Sequence, residues 1–179
     1  MKNEQWRKVK MKAIVYTSNT GSTAYYAKLL GNELGIRVYS TKEAKKNLPI
    51  GTEIIYLGWI MAGKIQGYRS VVGEYKVCAV CAVGMGQTGT QKKEIREKNW
   101  IPEKIPVFTL QGNFNQKKLH GIYKIMMSIM IKTAGKALTN KTDKSPEEAD
   151  MLDMILHNGE RVKAQNLQEV IRWYNNENN

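Results

Sequence analysis

The feature that most constrains this chain is a turn near its start, rich in hydroxyl groups and glycine: Ser18, Asn19, Thr20, Gly21, Ser22 and Thr23. The apolar run 13–16 before it is typical of a strand, and residues 24–34 after it are typical of a helix. The free N–H groups and the dipole at such a helix start favour an anion, and Gly21 permits a tight turn. The pattern predicts a phosphate site.

The turn contains no lysine. It therefore does not match the G-x-x-x-x-G-K-[ST] loop, which holds nucleoside triphosphates together with magnesium. A cradle of hydroxyl groups and amides without that lysine suits a single terminal phosphate better.

Apolar runs recur along the chain with helix-length connections between them, and five of them are predicted strands: 13–16, 37–39, 53–60, 77–83 and 105–110. Such a pattern indicates a parallel sheet covered on both faces, and right-handed crossovers favour a three-layer α/β sandwich. We expect helices within 64–73 and 90–98 and a polar connection at 42–47. Ligands of such sheets bind at the carboxyl ends of the strands.

Two uncharged loops follow the third and fourth predicted strands. The first contains Gly58, Trp59, Ile60 and Met61, and the second contains Gly84, Met85 and Gly86. Together they predict a slot for a flat heteroaromatic ring beside the phosphate site, although Trp59 and Met61 also suit a core. The second loop matches G-x-G-x-x-G, but the next strand ends without a carboxylate, so a NAD site is not expected.

Composition indicates one domain, 11–179, preceded by a flexible arm or an over-long start, 1–10. The net charge of +12 attracts acidic partners or reflects a lysine-rich surface. No apolar run spans a membrane and the start has no signal-peptide core, which favours a cytoplasmic location. Cys78 and Cys81 are expected to be inert buried thiols on opposite faces of a strand, and no metal site is expected.

The turn resembles the phosphate loop of the flavodoxin-like FMN proteins, [ST]-x-T-G-x-T, at every fixed position. That resemblance implies FMN as cofactor and a sheet of order 2-1-3-4-5. It implies that residues 18–23 hold the phosphate, while Trp59, Ile60 and Met61 flank the ring on one side and Gly84, Met85 and Gly86 on the other. The chain departs from ordinary flavodoxins in its basic charge and in Met85, where they usually have tyrosine.

The stretch after the fifth strand is similar to the menaquinone-dependent protoporphyrinogen IX dehydrogenases, which carry an inserted basic helical segment there (about 113–140 in this chain). This branch implies an oxidoreductase of haem biosynthesis that passes electrons to a quinone. Lys117, Lys118 and Lys124 are then expected to pair with substrate propionates. The alternative is an electron-transfer carrier that docks redox partner proteins. Nucleic-acid binding is disfavoured, because aromatic and basic residues do not interleave.

Residues 117–132 form a cationic amphipathic pattern. Lys117, Gly121, Lys124, Ser128 and Lys132 share one helical face, and apolar residues occupy much of the rest. Such a helix suits an anionic membrane surface, a bulky ligand, or ordinary packing on the sheet. A mobile loop is expected at 137–144, a helix capped by Ser145 after it, and a final helix at 166–174.

Overall fold

The computed structural model describes residues 11–114 and 121–178. The expected arm, Lys117 and Lys118 lie outside these residues. The strands are β1 (Ala13–Thr17), β2 (Arg37–Ser40), β3 (Glu53–Met61), β4 (Lys64–Ile65), β5 (Lys76–Gly84) and β6 (Val107–Gln111). The helices are α1 (Ser22–Leu34), α2 (Thr41–Asn47), α3 (Tyr68–Glu74), α4 (Lys92–Asn99), α5 (Gly121–Met130), α6 (Lys136–Asn140), α7 (Pro146–His157) and α8 (Gln168–Asn178).

The sheet has the order β2-β1-β3-β5-β6, and these five strands are all parallel. This is the predicted flavodoxin-like order. A sixth strand, β4, pairs antiparallel with the end of β3 and forms a hairpin that was not predicted. Because these strands are parallel, the carboxyl ends of β1, β3, β5 and β6 lie at one edge of the sheet.

Helices cover both faces of the sheet, as predicted for a three-layer sandwich. Residues of α1 and α8 pack on one face around Ile14, Leu30 and Val170. Residues of α2, α3 and α4 pack on the other face around Ala44, Val71 and Ile95. Because both faces are buried, the strands carry near-continuous apolar runs rather than an alternating pattern.

One local prediction was wrong and two were right only in part. Residues 41–47 form a helix rather than a polar connection, because Ser40 and Glu43 make a complete capping box. The segment 64–73 begins as β4, and its helix starts only at Tyr68. Part of the loop expected at 137–144 is helical, since α6 continues to Asn140.

The two cysteines were predicted on opposite faces of a strand, and this was also wrong. The pairing of β5 with β3 shifts register between Ile54 and Ile55, so that one extra residue of β5 bulges. Cys78 and Cys81 consequently both pack against the core beneath α1 and α8. Both are free thiols, but only Cys81 is fully buried as predicted, while Cys78 is half-buried; burial raises the pKa of each.

The inserted segment forms a cap, residues 121–157, over the carboxyl edge of the sheet. It consists of α5, a π-helical turn (Ile131–Gly135), α6 and α7. Ser145 caps α7 as predicted, with Pro146 in its first turn and Asn158 in the left-handed conformation at its end. The chain then returns to the sheet through a 3-10 turn (Ala164–Leu167) and α8.

No helix in the described ranges combines the length and apolar character needed to cross a bilayer. Within the same residues, no group of three or more histidine, cysteine or carboxylate side chains is arranged to hold a metal ion.

Candidate functional site

The phosphate turn leaves the start of α1 open. Gly21 occupies the N-cap position at φ 106°, a conformation that glycine adopts without strain, and no side chain caps the helix. The first turn of α1 carries no acidic residue. The N–H groups of this turn have no partner within the helix, since they precede its first carbonyl groups. The turn therefore presents donors and a positive dipole end to an anion.

Ser18 adds an unsatisfied group to this turn. Among the described residues, its Oγ is the buried side-chain polar atom that has no hydrogen-bond partner. Leaving such a group unpaired costs about 1–3 kcal/mol, so a ligand that bonds to it recovers that free energy. The turn thus fits a phosphate by both its backbone and its side chains.

The first predicted loop is a rigid hairpin rather than a loop. β3 continues through Trp59, Ile60 and Met61, and residues 62 and 63 turn the chain at φ 50° and 77°. Asn99 of α4 fixes this turn: its Oδ1 accepts from Ile65 N and its Nδ2 donates to Gly63 O, both at 2.8 Å.

Gly58 is needed for packing at the base of this hairpin. A Cβ there would lie 2.4 Å from Ile65 Cγ2 and 3.0 Å from the Gln66 carbonyl oxygen. Its small size lets β4 fold back closely onto β3. Gly58 does not line the cavity of the site, so its predicted role in cofactor contact has no support from this geometry.

The second predicted loop follows β5 and is held by β6. Gly112 N donates to Gly84 O at 2.7 Å, and Gln111 N donates to Thr88 Oγ1 at 3.0 Å. A Cβ at Gly84 would lie 2.9 Å from Ile60 Cδ1, so the two predicted loops touch at this point. Ile60 also packs against the core of the sheet. A core position is the alternative that the sequence predicted for its neighbours Trp59 and Met61.

A cavity of about 270 Å³ joins the turn to both loops. Ten predicted site residues line it: Asn19, Thr20, Ser22, Thr23, Trp59, Ile60, Met61, Gly84, Met85 and Gly86. Gly21 faces a neighbouring polar cavity of about 450 Å³. Sequence reasoning missed Gly112, Asn113 and Phe114, although the end of β6 lies at the same sheet edge.

Methionines of the cap close this cavity. Met127 and Met130 of α5 and Met151 of α7 line it opposite the two loops, and Met154 is fully buried beside them. Met61 and Met85 pack against the same apolar cluster. Five of the nine methionines of the chain thus line one cavity, and Met154 packs in the cluster beside it, which gives the cavity a soft and polarizable wall.

The apolar residues of α5 divide between two faces. Met127 and Met130 face the cavity, whereas Ile122, Ile125, Met126 and Ile129 are exposed by 66%, 63%, 42% and 59%. One side of the apolar face expected from the sequence therefore lines the cavity, and its other side is exposed on the surface. Lys124 is exposed and does not line the cavity.

A polar network holds α7 in place over the site. The Gln111 side-chain amide donates to Asp150 Oδ2, and it lies 3.4 Å from Met85 O. Arg161 Nε donates to Asp150 Oδ1 at 3.0 Å, and its NH2 donates to Asp153 Oδ2 at 2.5 Å. The sequence does not indicate this network, because its members lie far apart in the chain.

Asn113 and Tyr26 extend the network to the phosphate turn. Asn113 N donates to Ser22 Oγ at 3.1 Å, while Asn113 Oδ1 accepts from Val162 N at 2.9 Å. Tyr26 OH donates to Gln111 O at 2.6 Å, and burial raises the pKa of this phenol. The turn, the end of β6 and the return from α7 are thereby fixed relative to one another.

The fold and this site together define a class: a doubly wound sheet with an anion-binding turn after its first strand and an apolar cavity beside it. Comparison with known protein families identifies one family within this class. The chain belongs to the family described as the flavodoxin domain, whose model matches residues 13–142.

One solved structure similar to this chain is that of "a putative flavoprotein from Bacteroides eggerthii DSM 20697". The two share 12% sequence identity with a TM-score of 0.38, over 68% of this chain and 96% of the other. No curated protein matches the chain.

Proposed function

We propose that this protein is an FMN-dependent oxidoreductase. The observation that carries the proposal is the unpaired, buried Ser18 Oγ in a turn that leads to an uncapped helix start, where Asn19, Thr20, Ser22 and Thr23 of the same turn line an apolar cavity. An anionic site joined to an uncharged slot is complementary to a phosphorylated heteroaromatic cofactor. Membership of the flavodoxin-domain family supports a flavin in particular.

Each part of the site has a distinct role toward FMN. Residues 18–23 bind the phosphate through hydroxyl groups and backbone amides. Trp59 and Met61 from the hairpin, and Met85 from the second loop, flank the ring and exclude water from it. When bound, FMN supplies the electron- and hydride-transfer chemistry, and the chain supplies position and electrostatics.

The cap favours an enzyme over a simple carrier. Its methionines place an apolar wall opposite the two flavin loops, where a carrier needs only an accessible cofactor edge. A methionine wall adapts to a large, flat, apolar substrate. Together with the resemblance of the insertion, this supports the oxidation of a porphyrinogen such as protoporphyrinogen IX, with a quinone such as menaquinone as acceptor.

An anaerobic assay with FMN-loaded protein, protoporphyrinogen IX and menaquinone tests the reaction. We expect porphyrin to form in step with quinone reduction. A protein that retains FMN and accepts electrons from a reductase, yet oxidises no porphyrinogen, is instead the carrier. Replacing Lys117, Lys118 and Lys124 with alanine tests the propionate contacts, and a raised KM with unchanged FMN content is expected.

The exposed stripe of α5 is proposed as the contact with a membrane surface, where a lipid-soluble quinone resides. Ile122, Ile125, Met126 and Ile129 follow one another at helical spacing on the outer side of the cap. The protein is strongly basic, so an anionic lipid surface complements it. A location in the cytoplasm, at the cytoplasmic face of a membrane, agrees with this proposal.

A further inference from the structure

We infer that a groove at the opposite end of the sheet is a second binding site, for a flat apolar ligand that carries an anionic group. The groove has a volume of about 720 Å³. It lies where β1, β5 and β6 begin, because Met11, Lys76 and Ile105 line it. It is therefore separate from the flavin site at the carboxyl edge, and its volume is typical of small-molecule sites.

Aromatic side chains form much of this groove. Tyr68 and Tyr75 are buried at its floor, Trp173 is half-buried in its wall, and Trp100 stands at its rim. Flat rings of this kind offer large apolar contact areas and stack on aromatic ligands. The groove thus favours a ligand with a planar, apolar body.

Trp100 exposes a large aromatic side chain at the end of α4. It ends α4 at φ 59°, in the left-handed region where glycine is the usual residue, and its side chain is 80% exposed. A bulky residue is strained there, and its exposure leaves a large apolar surface in water. The left-handed backbone ends α4, because Trp100 N donates to the carbonyl oxygens of Arg96 and Glu97, whereas contact with a bound molecule would cover the exposed ring.

Charge indicates the other part of the ligand. Three cations line the groove, Arg69, Lys76 and Lys104, against one carboxylate, Glu177. Lys76 pairs with Glu53, whereas none of the described residues forms an ion pair with Arg69 or Lys104. Two unpaired cations beside an aromatic groove are complementary to a carboxylate, sulfonate or phosphate group.

Charge also argues against two other occupants. Residues 1–10 lead directly to Met11, but they carry four cations, Lys2, Arg7, Lys8 and Lys10, against Glu4. Their binding would place like charges together. A second copy of the chain brings a net charge of +12 toward a basic rim. A small anionic ligand meets neither repulsion.

Two fluorescent probes with the same aromatic body test the inference. 8-Anilino-1-naphthalenesulfonate is an anion, and N-phenyl-1-naphthylamine is its neutral analogue. Each is titrated into the full chain at saturating FMN, so that the flavin cavity does not compete. We expect one saturable site per chain and at least tenfold tighter binding of the anionic probe.

Three variants locate the site. Trp100→Gly suits the local backbone, so the protein should fold, and we expect it to weaken both probes at least fivefold. The double variant Arg69→Gln, Lys104→Gln should abolish the preference for the anion and leave the neutral probe unchanged. Ile125→Gln, on the exposed stripe of α5, is the control and should change neither.

The inference fails if neither probe binds saturably, or if both bind equally well. It also fails if Ile125→Gln removes the binding while Trp100→Gly leaves it intact, because the probes then occupy the α5 stripe. Failure of the flavin proposal is distinguishable, because FMN loading is measured separately from the flavin absorbance, and the variants at Trp100, Arg69 and Lys104 assign probe binding to the groove even if FMN does not bind.

Discussion

Gln111 and Asp150, 39 residues apart, join the end of β6 to the cap through a bond from the side-chain amide to the carboxylate. The same amide faces the Met85 carbonyl of the second loop. One side chain therefore links the sheet, the second predicted loop and α7. The bond thereby adds a polar link between the cap and the sheet to the apolar contacts of Met127 and Met154 with Phe114.

Asp150→Ala should loosen the cap. It removes the partner of Gln111 and one partner of Arg161, and bonds to charged groups contribute about 1.5–3 kcal/mol each. Because Asp150 is about one-quarter exposed, we expect a loss of about 1–2 kcal/mol in the free energy of unfolding. Urea denaturation measures it. Asp143→Ala, at an exposed loop position, is the control and should change little.

Lowering the pH should unfold α7 before it unfolds the sheet. The Asp153 pKa is lowered by bonds from His157 and Arg161, and the Glu148 pKa is lowered by Lys141 and the Ser145 backbone. Each carboxylate contributes its full stabilisation at pH values above its ordinary pKa, which is 3.8 for Asp153 and 4.5 for Glu148. This contribution is lost as the pH falls through the lowered pKa of the folded protein. The protection factors of the α7 amides, which correct for the intrinsic pH dependence of exchange, should therefore fall between pH 5 and pH 3, while those of β3 stay high. Equal loss of protection in both elements would contradict this order.

Two glycine substitutions should act in opposite directions. Gly58→Ala places a methyl group 2.4 Å from Ile65 Cγ2, so we expect a loss of about 1–3 kcal/mol in the free energy of unfolding. Gly73→Ala, in helix α3, meets no atom within 4 Å and should stabilise by about 0.5–1 kcal/mol. Thermal denaturation of the pair checks both signs, and a neutral Gly58→Ala would show that the hairpin base is not tightly packed.

The stripe of α5 should bind anionic vesicles. We expect the protein to co-sediment with vesicles containing phosphatidylglycerol and not with pure phosphatidylcholine. The double variant Ile122→Gln, Ile125→Gln should weaken binding roughly tenfold, since each buried side chain contributes about 1.5–3 kcal/mol when fully inserted and less when partly so. Ile50→Gln, exposed at the opposite end of the molecule, is the control. Unchanged binding of the double variant would remove α5 from the contact.

The sequence predicted the sheet well because its signals are local. The apolar runs of β1, β3 and β5 and the glycine-rich turn before α1 each depend on neighbouring residues. The capping box of Ser40 and Glu43 was also a local signal for α2, but its polar helix lacked the apolar period on which the assignment relied.

Features that depend on distant contacts were not predictable. The bulge that turns Cys78 toward the same core as Cys81 arises from the pairing of β5 with β3. The inward face of α5 is set by where Met61, Met85 and Phe114 leave an apolar surface to cover. Ser18 illustrates both levels, because its motif marked a phosphate site and only the structure shows its hydroxyl group unpaired.

The central claim is most directly tested by titrating the flavin-free protein with FMN and with riboflavin, which lacks the phosphate. We expect FMN to bind roughly 100-fold more tightly than riboflavin, because two or more charge-assisted hydrogen bonds hold its phosphate. Ser18→Ala should reduce FMN affinity roughly tenfold and leave riboflavin unchanged, while Ser70→Ala, at an exposed serine in α3, should alter neither. Equal affinity for the two flavins, or no binding of either, would contradict the account.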